Sequence, residues 1–486
     1  MLRRPVSRHT DVEPKPIRWG RTCDRPRILF FTPRVGGPLN TGNRLRNYHL
    51  ATALSRNADL TYLGFSDDGD AAARNDSAPP NTDEFRGHVV TVPRRPGYSL
   101  LQIIRGAAGP LPVNVLSYTT SAMRRTLSRL LDENDFDAVH VQGIHLIAYL
   151  PLIRAARSNP VAVCDWHNIE SELMRRHSEY AAGVARRVYA KATARRLAEL
   201  ERAAFGCFDA HVFVSERDRL QLAPVSGKPM FVVQNGVEAA RYSDAEIEMA
   251  HQRFSPRASS RARGDQSEIS NPPAGDTARR RVVFVGSMDY HANEDGAVFF
   301  ANQVWPVLLA RYPALTLTLV GRNPTTAVRK LASLPGVELT GTIDDVRPYY
   351  REAALAVVPL RVGGGSRLKI LESMACGVPV VSTTVGAEGL EVEPGENILI
   401  ADTSETFNCA IGRLMSDANL WSRLSIGGRR LVHQKYEWSR LGESFACIYA
   451  GLMNRRAVNR EKSAPNRPGT AEFLLGALAA QEGRTN

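Results

Sequence analysis

An α/β fold in two doubly wound halves is what this sequence predicts, on three observations. Short apolar runs alternate with longer helical patterns from residue 27 onward, and the same alternation starts afresh at residue 281. The chain of 486 residues also exceeds what one hydrophobic core usually supports. In the first series the runs begin at Arg27, Leu60, Val89, Asp137, Val161 and Ala210, with helix candidates near 43–55, 119–132, 145–156 and 168–205 between them. In the second they begin at Arg281, Leu315, Val337, Ala354, Val378 and Ile398. Alternation of this kind builds parallel sheets, whose ligands sit beyond the carboxyl ends of the strands. The expected organisation is a disordered tail over 1–25, a first domain over 26–225 and a second over 226–435 with a mobile insert at 254–280. A helix over 436–454 then packs back on the first domain, and a mostly disordered tail covers 455–486.

Composition narrows the partners. Lys and Arg number 62 against 50 Asp and Glu, a net +12, which suits phosphorylated substrates or an anionic membrane surface. No aromatic-basic recognition motif accompanies that charge, so nucleic acid is not expected. The six cysteines are scattered without a C-x-x-C pair and read as free thiols of a reducing compartment. No run of 18 apolar residues appears, and the basic N-terminus lacks an apolar core, so a cytoplasmic protein is expected.

The segment from Arg361 to Val381 concentrates the chemistry. Gly363, Gly364 and Gly365 let the backbone approach a ligand closely, because no Cβ intervenes. Ser366 is a suitable cap for the helix that follows, and free N–H groups at such an end favour an anion. Arg367 and Lys369 put two cations in the first turn, where the helix dipole opposes them unless an anion is near. Glu372 lies three residues after Lys369, on the same face.

With that organisation, the chain resembles the GT-B fold glycosyltransferases, in particular the retaining family 4 (glycosyl transferases group 1), over about residues 27–450. The matching pieces are Gly341 through Gly386, Asp165-Trp-His-Asn168, Val214-Ser215, Gln234-Asn-Gly-Val237 and Val283-Phe-Val-Gly286. Within the family the chain looks most like the exopolysaccharide-type sugar transferases. The resemblance implies two Rossmann-like domains facing across a cleft. A nucleotide-diphosphate-sugar donor would lie mainly on the second domain, and a glycan or lipid-linked acceptor mainly on the first. It implies transfer with retention, no metal and no cofactor. Glu372 matches the glutamate that takes the donor ribose; Gly341 and Thr342 match the turn beside the base. His167 matches a histidine near the reacting centre, and Gly36, Gly37 and Gly42 match a glycine-rich loop after the first strand. Gly286 and Ser287 follow the first strand of the donor domain.

Two motifs depart from the family pattern. The first glutamate of E-x7-E would fall at Gly364, and the Arg and Lys of G-R-x5-K fall at Ser287 and Asn293. Arg367 and Lys369 are therefore expected to take over the diphosphate. Alternatives that stay open are a nucleotide-sugar epimerase on the same fold and a binding protein without catalysis. Asp135-Phe-Asp137 and Asp68-Gly-Asp70 spell D-x-D, but each reads as turn chemistry. Arg186, Arg187, Lys191, Arg195 and Arg196 crowd one helix, which suggests either a solvated face or contact with the anionic inner face of the plasma membrane.

Overall fold

The computed structural model describes residues 25–35, 39, 41–67, 85–94, 97–109, 111–180, 183–222, 227–242, 281–363 and 367–462. The first sheet holds β1 (Arg27–Thr32), β2 (Asp59–Asp67), β3 (Gly87–Arg94), β4 (Ala138–Gln142), β5 (Val161–Trp166), β6 (Ala210–Phe213) and β7 (Met230–Val232). Its order is β3-β2-β1-β4-β5-β6-β7, parallel throughout. The second sheet holds β8 (Arg281–Val285), β9 (Thr316–Val320), β10 (Val337–Leu339), β11 (Ala353–Val358), β12 (Val380–Ser382) and β13 (Leu399–Ile400). Its order is β10-β9-β8-β11-β12-β13, again parallel.

Both sheets are covered on both faces by helices, which is why β4 and β11 are buried along their whole length. In each sheet the strand order reverses once, between β1 and β4 and between β8 and β11, and such a reversal opens a crevice. The first sheet's two faces carry separate apolar clusters. One is completed by Trp438, Leu441, Phe445 and Tyr449 from the C-terminal helix Trp438–Lys462. That helix lies against Gly42–Ser55, where Gly442 stands so close to Ala53 that an added Cβ would sit 2.7 Å from it. Tyr449 reaches His140 at 2.8 Å and Arg456 pairs with Asp137 at 3.2 Å.

Several expected boundaries move. β7 pairs with β6, so the first domain runs past 225, because the last parallel strand needs a neighbour for its backbone groups. The long helix expected at 168–205 is two helices, Glu170–Tyr180 and Val184–Cys207. Gly183 enters the second at φ 87°, a conformation without cost only for glycine. The C-terminal helix extends to Lys462, beyond the boundary at 455. The tail over 1–24, the insert at 254–280 and the tail from 463 lie outside the described residues.

Candidate functional site

At the reversal point of the second sheet, β8 runs into Gly286 and Ser287, and β11 runs through Arg361 to Gly363. Gly321, which follows β9, packs so tightly on Gly286 that a Cβ there would overlap its carbonyl oxygen. Thr340 Oγ1 then accepts from the Gly321 N–H at 3.4 Å and donates to the carbonyl of Gly341 at 3.0 Å, so β8, β9 and β10 end in a row of close-packed backbone. Gly341 sits at φ +71° with open space where a Cβ would be, and Thr342 beside it is exposed.

The helix Leu368–Ala375 starts beside this row. Arg367 occupies its cap position with φ −88° and no side-chain capping bond, so the expected cap at Ser366 is not where helical geometry begins. Gly364, Gly365 and Ser366 lie outside the described residues, as do Gly36 and Gly37. Gly42 is not part of a loop: it is the first residue of Gly42–Ser55, capped by Thr41.

Lys369 turns back under the row. Its ammonium donates to Asn293 Oδ1 at 2.6 Å and lies 4.8 Å from the centre of the Phe284 ring. Asn293 in turn donates to the Ser287 carbonyl at 2.8 Å. A Cβ on Gly286 would lie 2.9 Å from the lysine nitrogen, so glycine leaves that face of the cation open. Burial, reinforced by the Arg367 charge, lowers the Lys369 pKa to about 7. Burial likewise raises the Glu372 carboxyl to about 7, with Lys369 opposing the rise. Both groups hold their charge weakly in the free protein.

Arg367 points the other way, into the cleft between domains. Its Nη2 donates to the Val385 carbonyl at 2.8 Å and lies 3.6 Å from Glu388. From the first domain Arg176 donates to the Gly363 carbonyl at 2.7 Å and to Glu388 at 2.8 Å, and Arg217 reaches Glu388 at 2.6 Å. Glu172, held to a pKa of about 2 chiefly by its bond to Arg175, anchors Arg176 from behind. Three guanidinium groups therefore converge on one carboxylate across the cleft.

His167 lines the same cleft as Arg367, opposite it. Its backbone N–H bonds the Asp165 carbonyl at 3.1 Å, and its Nδ1 is buried without a hydrogen-bond partner among the described residues. Burial, then the Arg46 charge, lowers its pKa to about 4, so it is a neutral imidazole at physiological pH. Behind it Asp165 and Arg46, both fully buried, form a bidentate pair at 2.8 and 2.9 Å. Arg46 continues to the carbonyl of Val233 at 2.7 Å and to Asn235 at 3.3 Å. Burial alone would raise the Asp165 carboxyl, but the guanidinium outweighs it and holds it low. This pair spans 119 residues and was not singled out as a pair from the sequence.

The first sheet's own reversal point carries a neutral polar network. Thr32, Asn43, Asn47 and Gln142 form one buried amide and hydroxyl network there. The nominated residues thus fall into three groups: His167 with Arg367 in the cleft, Gly286, Ser287, Lys369 and Glu372 at the second sheet's crevice, and Gly341 with Thr342 farther along it. Asp135 pairs with Arg157 at 3.3 Å, and Asp137 accepts from the Arg27 N–H at 3.0 Å, so that D-x-D is occupied by contacts within the fold.

Two parallel doubly wound sheets of seven and six strands that share a cleft define a GT-B scaffold. The sequence profile described as Glycosyltransferase Family 4 matches residues 46–241, and that described as Glycosyl transferases group 1 matches residues 279–417. The chain belongs to this family of glycosyltransferases. A phosphatidyl-myo-inositol mannosyltransferase of Mycolicibacterium smegmatis is 23% identical over 79% of this chain and 91% of its own length. An uncharacterized protein of the cps region of Klebsiella pneumoniae is 23% identical over 32% of this chain and 42% of its own length. Among solved structures, sucrose-phosphate synthase from Thermosynechococcus elongatus aligns with TM-score 0.60 at 17% identity, covering 89% of this chain and 100% of that one. Anabaena HepE in complex with UDP aligns with TM-score 0.56 at 14% identity, covering 88% and 100%. These structural likenesses concern the fold. Among the described residues, no helix is long and apolar enough to cross a membrane.

Proposed function

We propose that the protein transfers a sugar, with retention, from a nucleotide-diphosphate-sugar to a glycan or lipid-linked acceptor in extracellular polysaccharide or cell-envelope glycan synthesis. The observation that carries this reading is the bond from Lys369 to Asn293. Asn293 stands where the family pattern has its lysine, and here a lysine from the neighbouring helix brings its ammonium to that same asparagine. The cation that would meet a diphosphate is relocated, not missing.

In this reading Lys369 and the N–H groups opening the Leu368 helix face the donor diphosphate, Arg367 approaches it from the cleft side, and Glu372 accepts from the ribose hydroxyls. These charges stabilise the diphosphate as the bond to the anomeric carbon breaks. The sugar gains oxocarbenium character, and the acceptor hydroxyl attacks from the face the diphosphate leaves. The departing phosphate oxygen takes the acceptor's proton, so no protein nucleophile is required. His167, neutral near pH 7, acts as a hydrogen-bond partner to the sugar or phosphate. Two cations supply the compensation a divalent metal supplies elsewhere, which is why we propose metal-independent transfer.

Thermal stabilisation by UDP-, GDP- and ADP-sugars identifies the donor, because a bound ligand raises the melting point by mass action. Turnover of that donor then tests the reaction. Sugar transfer or slow hydrolysis supports it; an epimerised donor, or binding without any turnover in the presence of acceptor, overturns it.

A further inference from the structure

Among the described residues, most of the large apolar side chains left exposed belong to two neighbouring pieces of the first domain. Tyr98, Ile103 and Ile104 stand on or just before the helix Leu100–Ala108, and Val184, Val188 and Tyr189 on the first turns of Val184–Cys207. The two helices are tied together by Arg196, whose guanidinium donates to the carbonyls of Gly106 and Gly109. Tyr98 lies near enough to Tyr189 for the two phenols to influence each other, so the two apolar groups are neighbours.

The charge carried by the two pieces themselves has one sign. Arg105, Arg186, Arg187, Lys191 and Arg195 are exposed beside the apolar residues. No Asp or Glu occurs from Gly97 to Gly109 or from Val184 to Ala198. A helix face meant only for water normally mixes its charges at i, i+4 spacing. The adjoining helix Glu170–Tyr180 does that, with Arg175 bonded to Glu172 at 2.6 Å and Glu179 at 2.5 Å. The contrast between consecutive helices sets the basic run apart from an ordinary mixed-charge solvated face.

We propose that this two-helix face docks on an anionic bilayer surface, with the apolar side chains entering the headgroup boundary and the cations meeting lipid phosphates. Apolar residues fringed by Lys and Arg alone are the composition that such an interface selects. A chain of contacts leads from the face toward the cleft, beginning with Gln102, which donates to the Leu116 carbonyl at 3.3 Å. Tyr118 packs edge-on against His145 at 5.4 Å, and His145 lies 4.0 Å from Glu170, which opens the helix carrying Arg176. Docking there brings the acceptor side of the cleft to the lipid headgroups. Only that last consequence rests on the proposed transferase reading; the docking itself does not.

The test is co-sedimentation of the full chain with vesicles of phosphatidylcholine, alone or mixed with phosphatidylglycerol. Binding to the mixed vesicles only, weakened by added salt, is expected. One triple variant, Ile103→Ser with Ile104→Ser and Val188→Ser, removes apolar contact; a second, Arg186→Glu with Lys191→Glu and Arg195→Glu, reverses charge. Each should lower the vesicle partition by about tenfold or more, on the scale that a few basic residues contribute at such a surface. Melting transitions and nucleotide-induced stabilisation like the parent's show that the variants are folded. Where a triple variant does not fold, Ile104→Ser and Lys191→Glu are read singly for a smaller loss. Equal binding to neutral vesicles, no binding to either, or variants that bind like the parent overturns the proposal. A self-associated parent that the apolar triple variant turns into monomer overturns it too, in favour of a second copy. Loss of donor turnover with vesicle binding intact would instead break the transferase reading.

Discussion

The two reversal points of this molecule are built on the same strand order and furnished in opposite ways. In the first domain the ionic groups behind the crevice are matched: Arg46 and Asp165 meet bidentately, fully buried, and the carboxyl is held ionised. The crevice itself offers neutral amides and hydroxyls from Thr32, Asn43, Asn47 and Gln142. In the second domain Lys369 and Glu372 are both driven toward neutrality near pH 7, so their charges are costs to the free fold. A matched pair serves the structure. In the proposed reading a mismatched one is kept for a ligand that restores the balance, a dianionic donor on one side facing a hydroxyl acceptor on the other.

The largest expected effect falls on the matched pair. Asp165→Ala strands a buried guanidinium and should cost about 3–5 kcal/mol in guanidinium denaturation. A loss under about 1 kcal/mol would mean that Arg46 finds other compensation and the contrast fails. On the mismatched side the sign reverses. Lys369→Met should leave stability unchanged or raised, while nucleotide-diphosphate affinity measured by calorimetry falls roughly tenfold to a hundredfold, the worth of one charge-assisted bond.

The pH response sharpens the same contrast. Lys369 carries its proton in the free protein only below about pH 7, and a diphosphate favours the protonated form. Affinity should therefore decline as pH rises above about 7, approaching tenfold per unit, and Lys369→Arg should flatten the profile. Glu372 works on stability. Its folded pKa of about 7 exceeds its ordinary 4.5, so the native state binds that proton more tightly than the unfolded chain. The contribution is full below 4.5 and is lost as pH rises through 7, and Glu372→Gln should lack this loss in melts taken across that window. Smallest is Glu388→Gln. Glu388 keeps a quarter of its side chain exposed, so the arginine cluster across the cleft should contribute only about 1 kcal/mol or less. Its readout is faster limited proteolysis between the domains with nearly unchanged unfolding.

Much of the architecture was legible because parallel strands must be apolar along their length and helices must cover them. The runs at Arg27, Asp137, Arg281 and Ala354 become β1, β4, β8 and β11, the strands on either side of the two reversal points. Backbone-determined features were legible as well, since Gly286 and Gly363 are needed for close approach and Gly341 for its positive φ, whatever surrounds them. What stayed hidden depends on side chains far apart in sequence. Arg46 meeting Asp165, Lys369 meeting Asn293 and Arg176 meeting Glu388 leave no local period or spacing to read. Strand β7 was missed for a related reason: three half-buried residues carry little pattern, and only its pairing with β6 defines it.

The return of the last helix has a consequence for how the protein comes into being. Chain passes between the domains twice, and the two passages are hydrogen-bonded to each other: Val237 N–H to the Tyr436 carbonyl at 2.8 Å, Trp438 N–H to the Val237 carbonyl at 3.2 Å. One apolar face of the first sheet is thus closed only by residues some two hundred positions later than its last strand. On the ribosome the second domain can complete itself while the first still waits, its oily flank open, for the final segment to emerge. The order of maturation runs against the order of synthesis.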